Sequence, residues 1–186
     1  MDEEGAQALN TNHIAEIAGV NIASLYRWFP NKEAVITEVF EEQVALEIED
    51  VRAIYEDYMA RESGDLAEAV GTLLVDPLIS RQVRFLSMHA CFYQEHQADF
   101  DVGRRKYYGR NETLIEEAGR WLATVLANRY PDFAPVECEQ RAFIATRAAA
   151  GLCLAAARER PEWIRQSGFR KHLMDLVLPF LEAGPS

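Results

Sequence analysis

A chain of 186 residues with 49% hydrophobic side chains can bury a sizeable core, as one helical domain or a small domain joined to a larger one. A formal net charge of −11 excludes the class of proteins that coat nucleic acid with an overall basic surface. No apolar run approaches the roughly 20 residues needed to span a bilayer, the start MDEEGAQAL lacks the pattern of a secretory signal, and three scattered cysteines (Cys91, Cys138, Cys153) without a CxxC pair argue against a disulfide framework or structural zinc and for a reducing cytoplasm.

Taken in order, residues 1–9 are acidic and short, and are expected to fray. The stretch NTNHIAEIAGVNIASLYRWFPNKEAVITEVF, from Asn10 to Phe40, organises the rest. A first helix over 11–18 would be capped by Asn10. Gly19 supplies the left-handed residue that ends it, with Val20 as a buried plug in the turn. Asn21 caps a second helix over 22–28. Ala15 is small where two helix axes approach, and Ile14, Ala18, Val20 and Leu25 are expected to form one small core. A two-helix unit of this kind leaves one helix exposed along one side, as entry into a major groove requires.

Pro30 disfavours helix at Phe29, and Asn31 caps a long helix beginning at Lys32. Its apolar positions, Ile36, Phe40, Val44, Ile48, Val51, Tyr55 and Tyr58, recur at three and four residues and carry it to about residue 59 or 61. Asp65 opens a short helix to about 75, broken at Pro77. Another follows over 78–96. Residues 98–109 are polar with interleaved aromatics, and read as a loop or the start of the next helix. Leu114, Ala118, Trp121, Leu122, Val125 and Leu126 mark an amphipathic helix ending near 128. Pro135 with Glu137 and Glu139 opens a helix that runs to about 160, and the last spans about 168–182. No strand pattern, internal repeat or low-complexity tract appears. The fold class is therefore all-α, with an N-terminal helix-turn-helix lobe over 1–45 and a C-terminal helical bundle over 46–186.

The run IAEIAGVNIASLYRWFPNKEAV resembles the DNA-binding signature of the TetR family of bacterial transcriptional repressors. Ile14, Ala15, Ala18, Gly19, Val20, Leu25, Tyr26, Phe29, Lys32 and Glu33 carry the resemblance, and the remainder is similar to the family in length and helical character alone. Family members carry a whole helix before the glycine equivalent to Gly5. Only Met1 to Glu4 precede it here, so the first helix is expected to be truncated, unless the lobe is partly disordered or another segment covers Ile14 and Leu25. Leu9 is a departure from the threonine or serine usual at that place.

The resemblance implies a sequence-specific DNA-binding regulator: a repressor that reads a palindromic operator in double-stranded DNA as a homodimer and is released by a small effector. Ile22, Ala23 and Arg27 would face the bases, with Asn21 at the start of their helix. Thr11, Asn12, Ser24, Tyr26 and Lys32 match the positions that bind phosphate in the family. Between Asn10 and Glu33 the cations Arg27 and Lys32 balance the anions Glu16 and Glu33, so the motif carries no basic cluster. Trp28 is expected to pack in the lobe rather than lie against the DNA backbone.

The stretch AAAGLCLAAA, residues 148–157, is uncharged. So wide an apolar arc must be covered on two sides. By the resemblance it forms a dimer seam through Ile144, Ala148, Gly151, Leu152 and Ala155, with Leu173, Leu176, Val177 and Phe180 from the last helix. The other reading is a core helix of a monomer. A largely apolar effector would be lined by Tyr58, Phe85, Met88, His89, Phe92, Tyr93, Tyr107 and Trp121, although most of these also suit an ordinary core. His89 alone reads as a core histidine bonded to backbone. Cys91, with no cation beside it, reads as a buried, inert thiol rather than a redox trigger. No catalytic constellation, metal site or cofactor motif is apparent, and no membrane association. The rival function is an all-α ligand- or partner-binding dimer whose N-terminal lobe is incomplete and does not bind DNA.

Overall fold

The computed structural model describes residues 11–61, 65–101 and 112–183, and every regular element among them is helical. Helix α1 (Thr11–Ile17) and helix α2 (Ile22–Trp28) form the N-terminal lobe with the start of α3 (Lys32–Ala60). Gly19 has φ 66°, the left-handed conformation a tight turn needs. Asn21 accepts the Ala23 amide at 2.8 Å and Asn31 the Ala34 amide at 2.8 Å, so both side chains cap as expected. The expected Asn10 cap and the truncated first helix fall on residues outside those described.

The small core of the lobe differs in detail from its sequence reading. Ala15, Leu25 and Val35 are buried, with Ile14, Ile22 and Phe29 packed around them. Ala18 and Val20 face solvent instead. Val20 is 44% exposed because Val35, from the next helix, supplies the apolar contact that a plug would have made.

Helix α3 is 29 residues long and leaves the lobe for the body. Ile36, Phe40, Val44 and Ile48 face the main core, and Tyr55 and Tyr58 a second cluster. The boundary expected at residue 45 therefore falls inside one helix, and residues before it already pack in the body. Phe40 is fully buried at the centre, with the rings of Phe85 and Phe100 each 5.1 Å away and that of Phe92 at 5.5 Å. Edge and tilted ring contacts of this kind add to the burial itself.

Helix α4 (Leu66–Val70) runs through a π-helical turn, Gly71–Val75, directly into α5 (Asp76–His96). The break expected at Pro77 does not occur. Pro77 sits in the first turn of α5, and a missing N–H there costs little. Further on, α5 kinks at His89, whose φ of −162° and ψ of 87° are not helical. Its Nδ1 accepts the Phe92 amide at 3.1 Å, satisfying a donor that the kink releases.

Helix α6 (Leu114–Arg129) starts with a reciprocal cap: Thr113 Oγ1 accepts the Glu116 amide, and Glu116 accepts the Thr113 amide at 2.6 Å. It packs along α7 (Pro135–Glu159). A one-turn helix α8 (Pro161–Ile164), not anticipated in the sequence, leads to α9 (Ser167–Glu182).

Candidate functional site

In the lobe, α2 holds Leu25 inward and leaves Asn21, Ala23, Ser24, Tyr26, Arg27 and Trp28 exposed. Ala23 and Arg27 lie one turn apart, so they share a face. Ile22, expected on that face, is half-buried against the lobe core. Thr11 and Tyr26 are joined by their hydroxyls at 3.0 Å, which pins the end of α1 to α2. Asn12 is exposed, and Lys32 is half-buried in the first turn of α3. Trp28 is 78% exposed, so the expected packing is absent. The core beneath it is already filled by Leu25, Phe29 and Val35, and an indole has no room there.

Residues 1–39 match the family model of bacterial regulatory proteins of the tetR family. Over these residues the chain is similar to the tetR family of bacterial regulatory proteins. No curated protein matches the chain. The match supports a DNA-binding transcriptional regulator.

The body holds a cavity of about 330 Å³ between α3, the π-helical turn and the starts of α5 and α6. Val51, Ile54, Leu73, Leu114, Ile115 and Ala118 make its apolar walls. Glu47, Asp50, Asp76, Arg81 and Arg84 line its charged end. Burial pushes the Glu47 carboxyl above its usual range, against the opposing pull of Arg81 and Arg84. Tyr55 also borders the cavity, and its hydroxyl donates to the Leu73 carbonyl. Burial, with the Glu117 carboxylate adding to it, raises the pKa of that phenol.

The aromatic residues expected to line an effector site are not at this cavity. Phe85, Phe92 and Tyr93 close around Phe40 and Phe100 and fill the main core, with Met88 packed against them. Large rings bury the most apolar area, and here that is their role. Tyr93 donates to Gln82 at 2.7 Å, and burial pushes its phenol up to about 12. Tyr58 and Trp121 belong to the second cluster, where the Trp121 ring lies 3.7 Å from that of Tyr55. His89 serves the kink. Tyr107 lies outside the described residues. Sequence reasoning missed Glu47 and Arg81, although two opposite charges on otherwise apolar helical faces were the available signal.

Elsewhere on the body, α7 and α9 expose an apolar stripe. Ile144, Ala148, Gly151 and Leu152 are solvent-facing, as are Leu176 and Phe180, and Ala155 is half-buried. Leu173 and Val177 are buried in the protomer's own core instead. Val136 and Phe143, 58% and 60% exposed, extend the stripe beyond the residues anticipated. A wider groove of about 640 Å³ between α6 and α7 adjoins Phe143. Cys91, expected to be buried, is exposed, while Cys138 and Cys153 are buried. Among the described residues no helix is long and apolar enough to cross a membrane, and no group of three or more metal-ligating side chains occurs.

Proposed function

We propose that the chain is a cytoplasmic repressor that binds a palindromic operator as a homodimer and is released by a small effector. The match to the tetR family over residues 1–39 carries this reading. It is supported by α2, which is capped by Asn21 and presents Arg27 on an exposed face. Arg27 donates a pair of hydrogen bonds to guanine in the major groove, with Ala23 beside it for apolar contact. Ser24 and Lys32 meet phosphates.

The homodimer forms through the apolar stripe of α7 and α9. Exposed Phe143, Ile144, Leu152 and Leu176 favour a covered face there, since isolated helices of a monomer rarely leave so many large side chains in line. To read successive major-groove faces the two copies of α2 must sit about 34 Å apart, one helical turn of DNA, and the two-fold symmetry of the pair matches a palindromic site. The effector enters the cavity against α3, the one helix shared by cavity wall and lobe. Its binding shifts the dimer toward a spacing that no longer fits DNA.

Selection of the 186-residue chain on a library of random duplexes, repeated across a salt series, tests the reading. A palindrome whose affinity falls steeply as salt rises is the expected result. Weak binding without sequence preference would favour the alternative, a ligand-binding helical dimer. The even balance of charge between Asn10 and Glu33, with no basic cluster, is the observation that favours this alternative.

A further inference from the structure

We propose that the cavity beside α3 is built for an organic cation with an apolar body, its charge seated against Glu47 in the slot that the Arg84 guanidinium fills. The proposal rests on the reading of this cavity as the effector site and names the chemistry of what it takes.

Glu47 is only 6% exposed. Its Oε2 accepts from Arg81 Nη1 at 2.8 Å. The rest of Arg81 is committed elsewhere: Nη2 donates to the Phe100 carbonyl at 2.7 Å, and the guanidinium lies 4.6 Å from the Phe85 ring. Arg81 therefore satisfies one carboxylate oxygen, and the rest of its guanidinium is held by the Phe100 carbonyl and the Phe85 ring. The other oxygen, Oε1, faces Arg84 Nε at 3.6 Å, too long for a hydrogen bond. The Arg84 side chain is 44% exposed, and it can swing into water at little cost. A desolvated carboxylate with one close partner is short of positive charge. A cationic ligand supplies it at contact distance.

Charge balance decides the sign. Glu47 and Asp50 contribute two negative charges to the cavity, and Arg81 and Arg84 two positive ones. Asp76 is held outside this balance by two hydrogen bonds from Arg170. A cation that displaces Arg84 leaves the balance unchanged. An anion that recruits Arg84 strips Glu47 of its second partner and adds a negative charge beside Glu47 and Asp50. The field of a chain with net charge −11 also gathers cations rather than anions. Val51, Ile54, Leu73, Leu114 and Ile115 supply the apolar surface for the ligand's body.

The test is calorimetric titration of the full chain, without DNA, with three ligands of matched length below their micelle concentrations: octyltrimethylammonium, nonanoate and 1-octanol. The ammonium is expected to bind about tenfold or more tightly than the alcohol, and nonanoate least. Glu47→Gln should lose about tenfold for the ammonium alone. Asp50→Asn, which leaves the Glu47–Arg81 pair intact, should lose a smaller factor. Arg84→Ala should bind the ammonium as tightly as the parent or tighter, because nothing need be displaced. Asp50→Asn and Arg84→Ala decide the matter if Glu47→Gln does not fold. Preference for nonanoate, no binding of the ammonium, or weakening by Arg84→Ala would each overturn the proposal. Because no DNA is present, failure here leaves the repressor reading standing, and failure to select an operator leaves this one standing.

Discussion

Arg170 and Asp76 meet through two hydrogen bonds, 2.6 and 2.9 Å long, that tie α9 to the first residue of α5 across 94 positions of sequence. The contact joins the apolar stripe's helix to the end of the π-helical turn that walls the cavity. Gly71 lies beneath it: a Cβ there would stand 2.9 Å from Arg170 Nη2.

Both partners are about half exposed, so the ion pair itself contributes little to stability. Arg170→Ala should cost less than about 1 kcal/mol. Gly71→Ala should be neutral or mildly unfavourable in the parent, because Arg170 must move off Asp76. In the Arg170→Ala background the same change should stabilise by up to about 1 kcal/mol, the ordinary advantage of alanine over glycine in a helix. Urea denaturation of the four proteins measures the difference.

Gly19 makes a different kind of contribution. Nothing lies within 4 Å of a Cβ built there, so space is not the constraint; its φ of 66° is. Gly19→Ala should destabilise the lobe by about 1–2 kcal/mol. Amide exchange should quicken at Leu25 and Val20, whose amides bond back to Asn21 and Ala15, while the body's exchange is unchanged.

On α2, Arg27→Ala should lower affinity for the selected operator and relax the preference at one base pair, by about 1–3 kcal/mol. Trp28→Ala should change global stability by no more than about 0.5 kcal/mol, since the indole is 78% exposed. A drop in operator affinity for this variant, with unchanged stability, would place the indole against the DNA backbone. Binding isotherms beside thermal melts separate the two.

The three cysteines should fall into two classes. Cys91 is exposed and should react with maleimide in the folded protein. Burial pushes the Cys153 thiol up to about 12, and Cys138 is raised for the same main reason, with the Glu137 carboxylate adding to it. Both should be modified only on unfolding, which mass spectrometry along a urea series would show.

Glu47 sets a pH dependence of known sign. Its folded-state pKa lies above the ordinary 4.5, because burial penalises the charged form. Its contribution to stability is then fully present below the unfolded value and is lost as pH rises through the folded one. The stability of the parent relative to Glu47→Gln should therefore fall as pH climbs from 4 through the carboxylate range. Urea midpoints for both proteins at intervals of pH check the slope.

Much of this was legible in the sequence because it depends on local rules. Asn21, Asn31 and Gly19 act through their own backbone neighbours, and each occupies its expected role. The long helix from Lys32 follows from its own periodicity. What the sequence could not supply were choices between competing partners. Val20 and Val35 are equally good apolar side chains, and only the angle at which α3 leaves the lobe decides which of them is buried. Phe85, Phe92 and Tyr93 suit a cavity wall as well as a core; Phe40 and Phe100 meet them and fill the space. The Glu47–Arg81 pair spans 34 residues and two helices, a distance at which no periodicity speaks. The π-helical turn likewise sits among contacts from α3, α6, α7 and α9 that lie far from it in sequence.

The 29 residues of α3 contain neither glycine nor proline. At about 1.5 Å per residue they make a rod roughly 44 Å long. Nothing along it is built to bend, so a rotation imposed beside Glu47 and Tyr55 arrives at Lys32 undiminished. A tilt of about 5° about Glu47 or Tyr55 moves Lys32, roughly 22 to 35 Å away, by roughly 2 to 3 Å, a little under the roughly 3.4 Å that separates successive nucleotides along a DNA strand. In a two-fold pair both rods move, and the distance between the reading heads changes by up to twice as much. On the repressor reading proposed above, one molecule in the cavity is expected to shift the operator register by a base pair or two with every helix still intact.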